Sequence, residues 1–207
     1  MTGVQTCALP ICDIPAYCTY LGFGMKPDFD FCVHCNILYF MMDKKMPLVK
    51  QDNATIQLLT AMIRNREYMK APVFISPYYA NPSVLLYHIA RLMGRFSLPE
   101  LEQYKPQLIT DIQQVLNNTK GQMDKIILCT SLLRLGATPP SLTITSIPNF
   151  EKSNQDKFVF FQARAAFSYP LPLKQVLLHL SYFCYYFYAP EYNKILLLEY
   201  LLERNKY

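Results

Sequence analysis

Four segments of the chain, FCVHCNILYFMM, VLLYHIARLMG, IILCTSLLRLG and VLLHLSYFCYYF, are apolar almost all the way round a helix. Three others, TIQLLTAMIRNREY, PQLITDIQQVLNN and YNKILLLEYLLERN, keep one polar face. A helix of the first kind has to be buried on both sides, whereas one of the second kind covers a core. The buried kind recurs with starts roughly 40–50 residues apart, usually followed by an amphipathic partner. That is the period of a helical-hairpin repeat, in which each pair relies on its neighbours to cover its apolar face. The spacing predicts an all-α chain with helices over 31–43, 53–67, 82–94, 106–117, 122–135, 173–188 and 191–205.

Local residue choices mark many of the ends. Asn81 precedes Pro82, a cap followed by proline at the first helical position. Ser97 with Glu100 has the capping-box pattern, Asp52 and Asn53 precede an apolar-periodic run, and Gly136 follows LLRL as a stop. Pro99 and Pro106 predict a short separate turn before the fourth helix. Between Pro139 and Pro172 the pattern lapses. There TPPSLTITSIPNF reads as a short helix or a turn, and KFVFFQARAAF as a strand or as a connector that carries aromatics into the core.

With 207 residues, 52% of them hydrophobic and 17% charged, the chain has enough apolar material for one ordinary core and too much for disorder. The net charge of +5 is scattered, with no basic run longer than a pair such as Lys44 and Lys45. That excludes the basic stripe of a nucleic-acid binder and leaves open a peripheral contact with anionic membrane surfaces. The longest apolar run, VLLHLSYFCYYFYA, falls short of the ~20 residues a bilayer span needs, and His179 interrupts it, so no transmembrane helix is expected. Cys18, Cys32, Cys35, Cys129 and Cys184 are odd in number and mostly embedded in apolar segments, which suits reduced thiols in a cytoplasm.

The opening MTGVQTCALPIC has neither the basic start nor the apolar run of an export signal, and it fits no helix or strand pattern. TGVQTCALPI resembles the translation of a commonly used sequencing-library adapter. That resemblance implies that residues 1–11 are non-native, and the expectation is that 12–207 are one domain from the C-terminal part of a longer protein.

A buried layer of helices inside an amphipathic layer is the plan of an α/α toroid. PDFDFCVHCNILYF followed by SPYYANPSVLLYHIAR resembles the terpenoid cyclase and protein prenyltransferase toroid superfamily, especially divergent bacterial members, from about Pro27 to Phe187. Complete rings in that superfamily have about a dozen helices, so the resemblance implies an open arc of seven or eight. It also implies an acid at PDFDF. Class II terpene cyclases carry an Asp-x-Asp-Asp motif whose middle carboxylic acid protonates an alkene or epoxide, a task that needs a neutral, strongly acidic carboxyl. Asp28 and Asp30 match the first and middle positions, and Phe31 replaces the last. The other reading is that Asp30 caps the helix opening at Phe31, where free amides favour a carboxylate. Prenyltransferases hold zinc with Asp-x-Cys and a distant His, a form shared by Asp30, Cys32 and His88; Cys32, His34 and Cys35 are a second conceivable set. His34 lies about 200° round a helix from Cys32, which works against a common site, and no metal is assigned.

The chain has 16 Tyr and 13 Phe, many of them in or beside the inner segments. In a toroid cavity their faces stabilise carbocations or line an isoprenoid or lipid-like ligand, with ordinary core packing as the alternative. Tyr39, Tyr78, Tyr79, Tyr87 and Phe161 are the candidate lining residues. Arg91 and Arg164, in apolar surroundings, answer a carboxylate such as Asp30, present a cation to an anionic head group such as a diphosphate, or reach water at an edge. His179, on an apolar face, reads as a hydrogen-bonded core residue. The chain has no Trp, unlike squalene-cyclase-type proteins, and no Ser-His-Asp arrangement, phosphate loop, dinucleotide fingerprint or paired CxxC, and no cofactor is assigned. Two functions remain: a cyclase-like or prenyltransferase-like toroid fragment with an isoprenoid-type cavity and Asp30 as acid, and a non-catalytic helical-repeat scaffold. A cavity on which Asp30, Tyr78, Tyr79 and Arg91 converge favours the first; an inner face filled by side chains favours the second.

Overall fold

A computed structural model describes residues 7–9, 12–14, 16–17, 19, 29–142, 158–164, 173–178 and 184–206. The elements are β1 (Cys7–Leu9), β2 (Cys12–Ile14), α1 (Phe31–Asp43), α2 (Lys50–Arg64), α3 (Glu67–Lys70), α4 (Pro72–Ile75), α5 (Pro82–Arg95), α6 (Pro99–Glu102), α7 (Lys105–Asn118), α8 (Gln122–Arg134), β3 (Phe161–Arg164), α9 (Leu173–Leu178), β4 (Cys184–Phe187) and α10 (Pro190–Arg204). The described chain is mostly helical, an all-α fold carrying two short antiparallel ladders. One ladder joins β1 to β2, inside an opening stretch whose sequence shows no strand pattern, and the other joins β3 to β4.

The row of helices that forms the core runs α1, α5, α8, α10, each packed on the next, with α7 laid against α8 and α5. Its centre follows from composition. From Ser83 to Ala90 every residue of α5 is buried, and so is every residue of α8 from Ile126 to Leu133. The hydroxyls inside α8 are tolerated because Thr130 donates to Ile126 O at 2.8 Å and Ser131 to Ile127 O at 2.6 Å. Asn81 caps α5 by accepting the Ser83 N–H at 3.0 Å, and its amide donates to Asp124 at 2.9 Å, tying the starts of the two central helices together. At the far end of α8, Gly136 takes φ +73°, its N–H bonding Leu133 O and that of Ala137 bonding Leu132 O, a Schellman closure.

Several expectations shift. The second helix begins at Lys50 and not at 53, because Asp52 works from inside its first turn, accepting the Val49 N–H at 2.8 Å. Ser97 does not cap; Leu98 stands at that position before the short α6, the separate turn expected ahead of α7. Of the described residues in the helix expected over 173–188, Leu173–Leu178 are helical and Cys184–Phe187 are a strand. An aromatic-rich apolar run has no face to distinguish the two periods, and pairing with β3 decides for strand. The undecided KFVFFQARAAF supplies that partner strand. The described ends of VLLHLSYFCYYF do not pack as an inner helix: Val176, Tyr185, Tyr186 and Phe187 are exposed. The fourth place in the row belongs to α10, which seats Leu196, Leu197 and Tyr200 in the core. Helix α1 is buried only as far as Leu38, with Phe40 exposed.

Among the described residues, no helix is long and apolar enough to cross a membrane. Cys32, Cys35 and Cys129 are free, buried thiols.

Candidate functional site

Asp30 is buried at the start of α1 and has three donors within reach. Oδ1 accepts the Val33 N–H at 3.0 Å and the Ser76 hydroxyl at 2.8 Å, and Oδ2 accepts the Tyr78 N–H at 3.4 Å. The first bond is the helix cap; the other two fasten the Ser76–Tyr78 loop to the helix. Burial pushes the carboxyl up to about 6, while the donors pull the other way by favouring the anion. Burial, followed by the neighbouring Asp30 charge, drives the Cys32 thiol upward. His34 stacks on Phe29 with ring centroids 4.1 Å apart, and its two nitrogens meet the carbonyls of Asp30 and Tyr17 at 2.6 and 2.7 Å. Burial holds that ring below its ordinary pKa against the pull of those carbonyls.

The loop that Asp30 anchors leads into an aromatic cluster. Tyr78 stacks on Phe161 at 5.9 Å, and its carbonyl accepts the Gln162 N–H at 2.9 Å, which docks β3 beside it. Tyr79 meets His88, Phe160 and Phe161 edge-on at 5.1, 5.9 and 5.5 Å. Phe160 also touches Tyr87, His88 and Tyr192. Burial raises the Tyr79 hydroxyl to about 12, with Cys32 and Asp30 adding to the effect.

A polar seam runs along α5 beneath these rings. His88 meets Asn36 Oδ1 through Nδ1 at 3.2 Å. Burial, followed by the positive charges of Arg91 and Arg134, lowers its pKa to about 3, so the ring is neutral. Asn36 Oδ1 also accepts from Arg91 at 3.4 Å, and the Arg91 guanidinium lies 4.3 Å from the Tyr39 ring centroid. At the other end of the seam Tyr87 donates to Glu199 at 2.5 Å, and Arg134, stacked over the Tyr87 ring, pairs with the same carboxylate. Burial pushes the Tyr87 hydroxyl well up, and the Glu199 charge adds to this.

Of the residues selected from sequence, Asp30, Tyr78, Tyr79 and Phe161 come together, and Tyr79 continues the contact to His88 and the Tyr87 face. Tyr39 and Arg91 form their own pair farther along α5. Arg91 does not answer Asp30; its partners are Asn36 and Tyr39, because α5 places it opposite the middle of α1 and not its start. Asp28, His179 and the side chain of Arg164 lie outside the described residues. Asp30, Cys32 and His88 do not form a ligand set: among the described residues no three potential metal ligands gather, and Nδ1 of His88 is turned to Asn36.

Sequence reasoning missed Ser76, Asn36, and the Arg134–Glu199 pair. A signal for the pair was present. Arg134 ends IILCTSLLR and Glu199 interrupts LLLEYLL; opposite charges stranded in two apolar runs need each other. Comparison with family models, with curated proteins and with solved structures finds no match for this chain.

Proposed function

We propose that the chain is a non-catalytic binding scaffold, an open arc of toroid-like helical hairpins. The observation that carries this is the state of Asp30. Both of its carboxylate oxygens are engaged, one by the Val33 N–H and the Ser76 hydroxyl and the other by the Tyr78 N–H. A group that protonates an alkene has to carry its proton and aim it at substrate; this one accepts hydrogen bonds and ties a loop to a helix. The rings beside it lie against one another, which fits an inner face filled by side chains.

A second reading, an isoprenoid or lipid-like ligand, is favoured by the continuity of the aromatic cluster from Tyr78 to Tyr192 and by the two guanidiniums beside it. The two readings separate on incubating the purified chain with squalene and with farnesyl diphosphate, following products by mass spectrometry and binding by titration calorimetry. The scaffold reading expects neither turnover nor heat. Product that disappears in Asp30→Asn would establish acid chemistry and end it. Heat from farnesyl diphosphate that is lost in Arg91→Met would move the second reading ahead.

A further inference from the structure

On the side of α10 turned away from the core, Ile195, Leu198 and Leu202 are 59%, 55% and 57% exposed. Their spacing of three and four residues makes one continuous apolar stripe down the helix. The inward residues Leu196, Leu197 and Tyr200 already hold α10 against α8, so the stripe contributes nothing to that packing. Its charged ends have opposite sign. Glu191 lies four residues before Ile195 and Lys206 four residues after Leu202, so both continue the same line. The winding carries on past Arg204, where the Lys206 N–H donates to Glu203 O at 3.2 Å. Among the described residues, each end charge is paired within its own helix, Glu191 to Lys194 at 3.1 Å and Lys206 to Glu203 at 2.8 Å, and the first carboxylate is 82% exposed.

We propose that this face is a homodimer interface, in which α10 of one chain packs antiparallel on α10 of a second copy. A two-fold axis through the midpoint between Leu198 and Glu199 brings Ile195 against Leu202 of the other copy and sets the two Leu198 side chains on either side of the axis, one residue out of register. The same operation sets Glu191 against Lys206, about 22 Å of helix apart within one chain but adjacent across the pair. An isologous contact requires this self-complementarity, with residue i meeting j and j meeting i. A parallel pairing would put Glu191 on Glu191 and Lys206 on Lys206, and like charges there oppose association. The opposed helix dipoles of the antiparallel pair act in the same direction as the charges. The charge pattern thus selects a second copy over an unrelated apolar partner, which would have no reason to find opposite charges equidistant from the stripe's centre.

The test is sedimentation velocity on the full 207-residue chain across a concentration series, repeated with Leu198→Glu, Glu191→Lys, Lys206→Glu and the Glu191→Lys/Lys206→Glu double variant. Circular dichroism of each checks that the helices persist. The wild type is expected to reach dimer mass. Leu198→Glu, which faces two carboxylates across the axis, is expected to weaken association roughly tenfold or more. Each single charge reversal weakens it, and the double variant, which restores opposite signs, recovers it. A wild type that remains monomeric throughout overturns the proposal and leaves the face to another occupant. A dimer that survives Leu198→Glu places the interface elsewhere, and a double variant no better than the singles overturns the antiparallel register.

Discussion

Lys45 closes α1 with φ 53°, the left-handed conformation that glycine adopts without cost, and its N–H and that of Met46 bond Met42 O and Met41 O. Its side chain is exposed. Lys45→Gly is therefore expected to stabilise the fold by about 0.5–1 kcal/mol, read from the urea midpoint; an unchanged or lower midpoint would mean that the lysine side chain contributes more than its backbone costs. Asp30 supplies a prediction with a pH signature. Its pKa is about 6 folded against 3.8 unfolded, so between those values the folded state holds the extra proton and stability falls as pH rises. Above about 6 the effect levels off. His88, lowered from 6.5 to about 3, acts in the opposite sense, its contribution being lost as pH falls below 6.5. Wild type and Asp30→Asn share His88, so the difference between their unfolding free energies isolates Asp30. That difference is expected to decline between about pH 4 and pH 6, by up to about 3 kcal/mol; parallel stability curves would contradict the burial assigned to Asp30.

At the scale of elements, the α5–α8 crossing depends on a missing side chain. A Cβ on Gly94 of α5 would lie 2.8 Å from the Arg134 Cβ and 2.9 Å from the Arg134 carbonyl oxygen, so α5 and α8 approach here only because the residue is glycine. In a free helix Gly→Ala gains about 1 kcal/mol. Here Gly94→Ala is expected to lose about 1–2 kcal/mol net, since overpacking a helix contact costs about 1–3, and thermal denaturation gives the sign directly. The displaced group matters too, because Arg134 holds Glu199 and overlies Tyr87. A shift at Gly94 therefore reaches α10 through that ion pair.

Across the whole molecule, burial is concentrated in α5 and α8, which lie in the middle of the row with α1 and α10 on either side. The slowest hydrogen exchange is expected for the amides of Leu85–Ile89 and Ile126–Leu133, because they open only when the row comes apart. Exchange in α2 or α10 as slow as in these two would place the stable core elsewhere. Exposed apolar side chains lie on α10 and on β4, at Tyr185 and Phe187, and also between α1 and α2, at Met46, Leu48 and Val49.

Most of the helices could be read directly from the chain. All-round apolarity implied that α5 and α8 would be buried, and Asn81–Pro82 and Gly136 marked ends that the fold keeps, because capping and periodicity are local properties. Asp30 as a helix cap was equally legible. Tertiary structure alone decided that the CYYF end of VLLHLSYFCYYF is a strand, since a run apolar on every side carries no period and only the β3 partner distinguishes the outcomes. It decided as well that Ser76 shares Asp30, that Asn36 joins His88 to Arg91, and that Arg134 reaches Glu199. Those contacts join residues 46 to 65 positions apart. At that separation sequence can say that a buried charge needs a partner, and only packing says which one it meets.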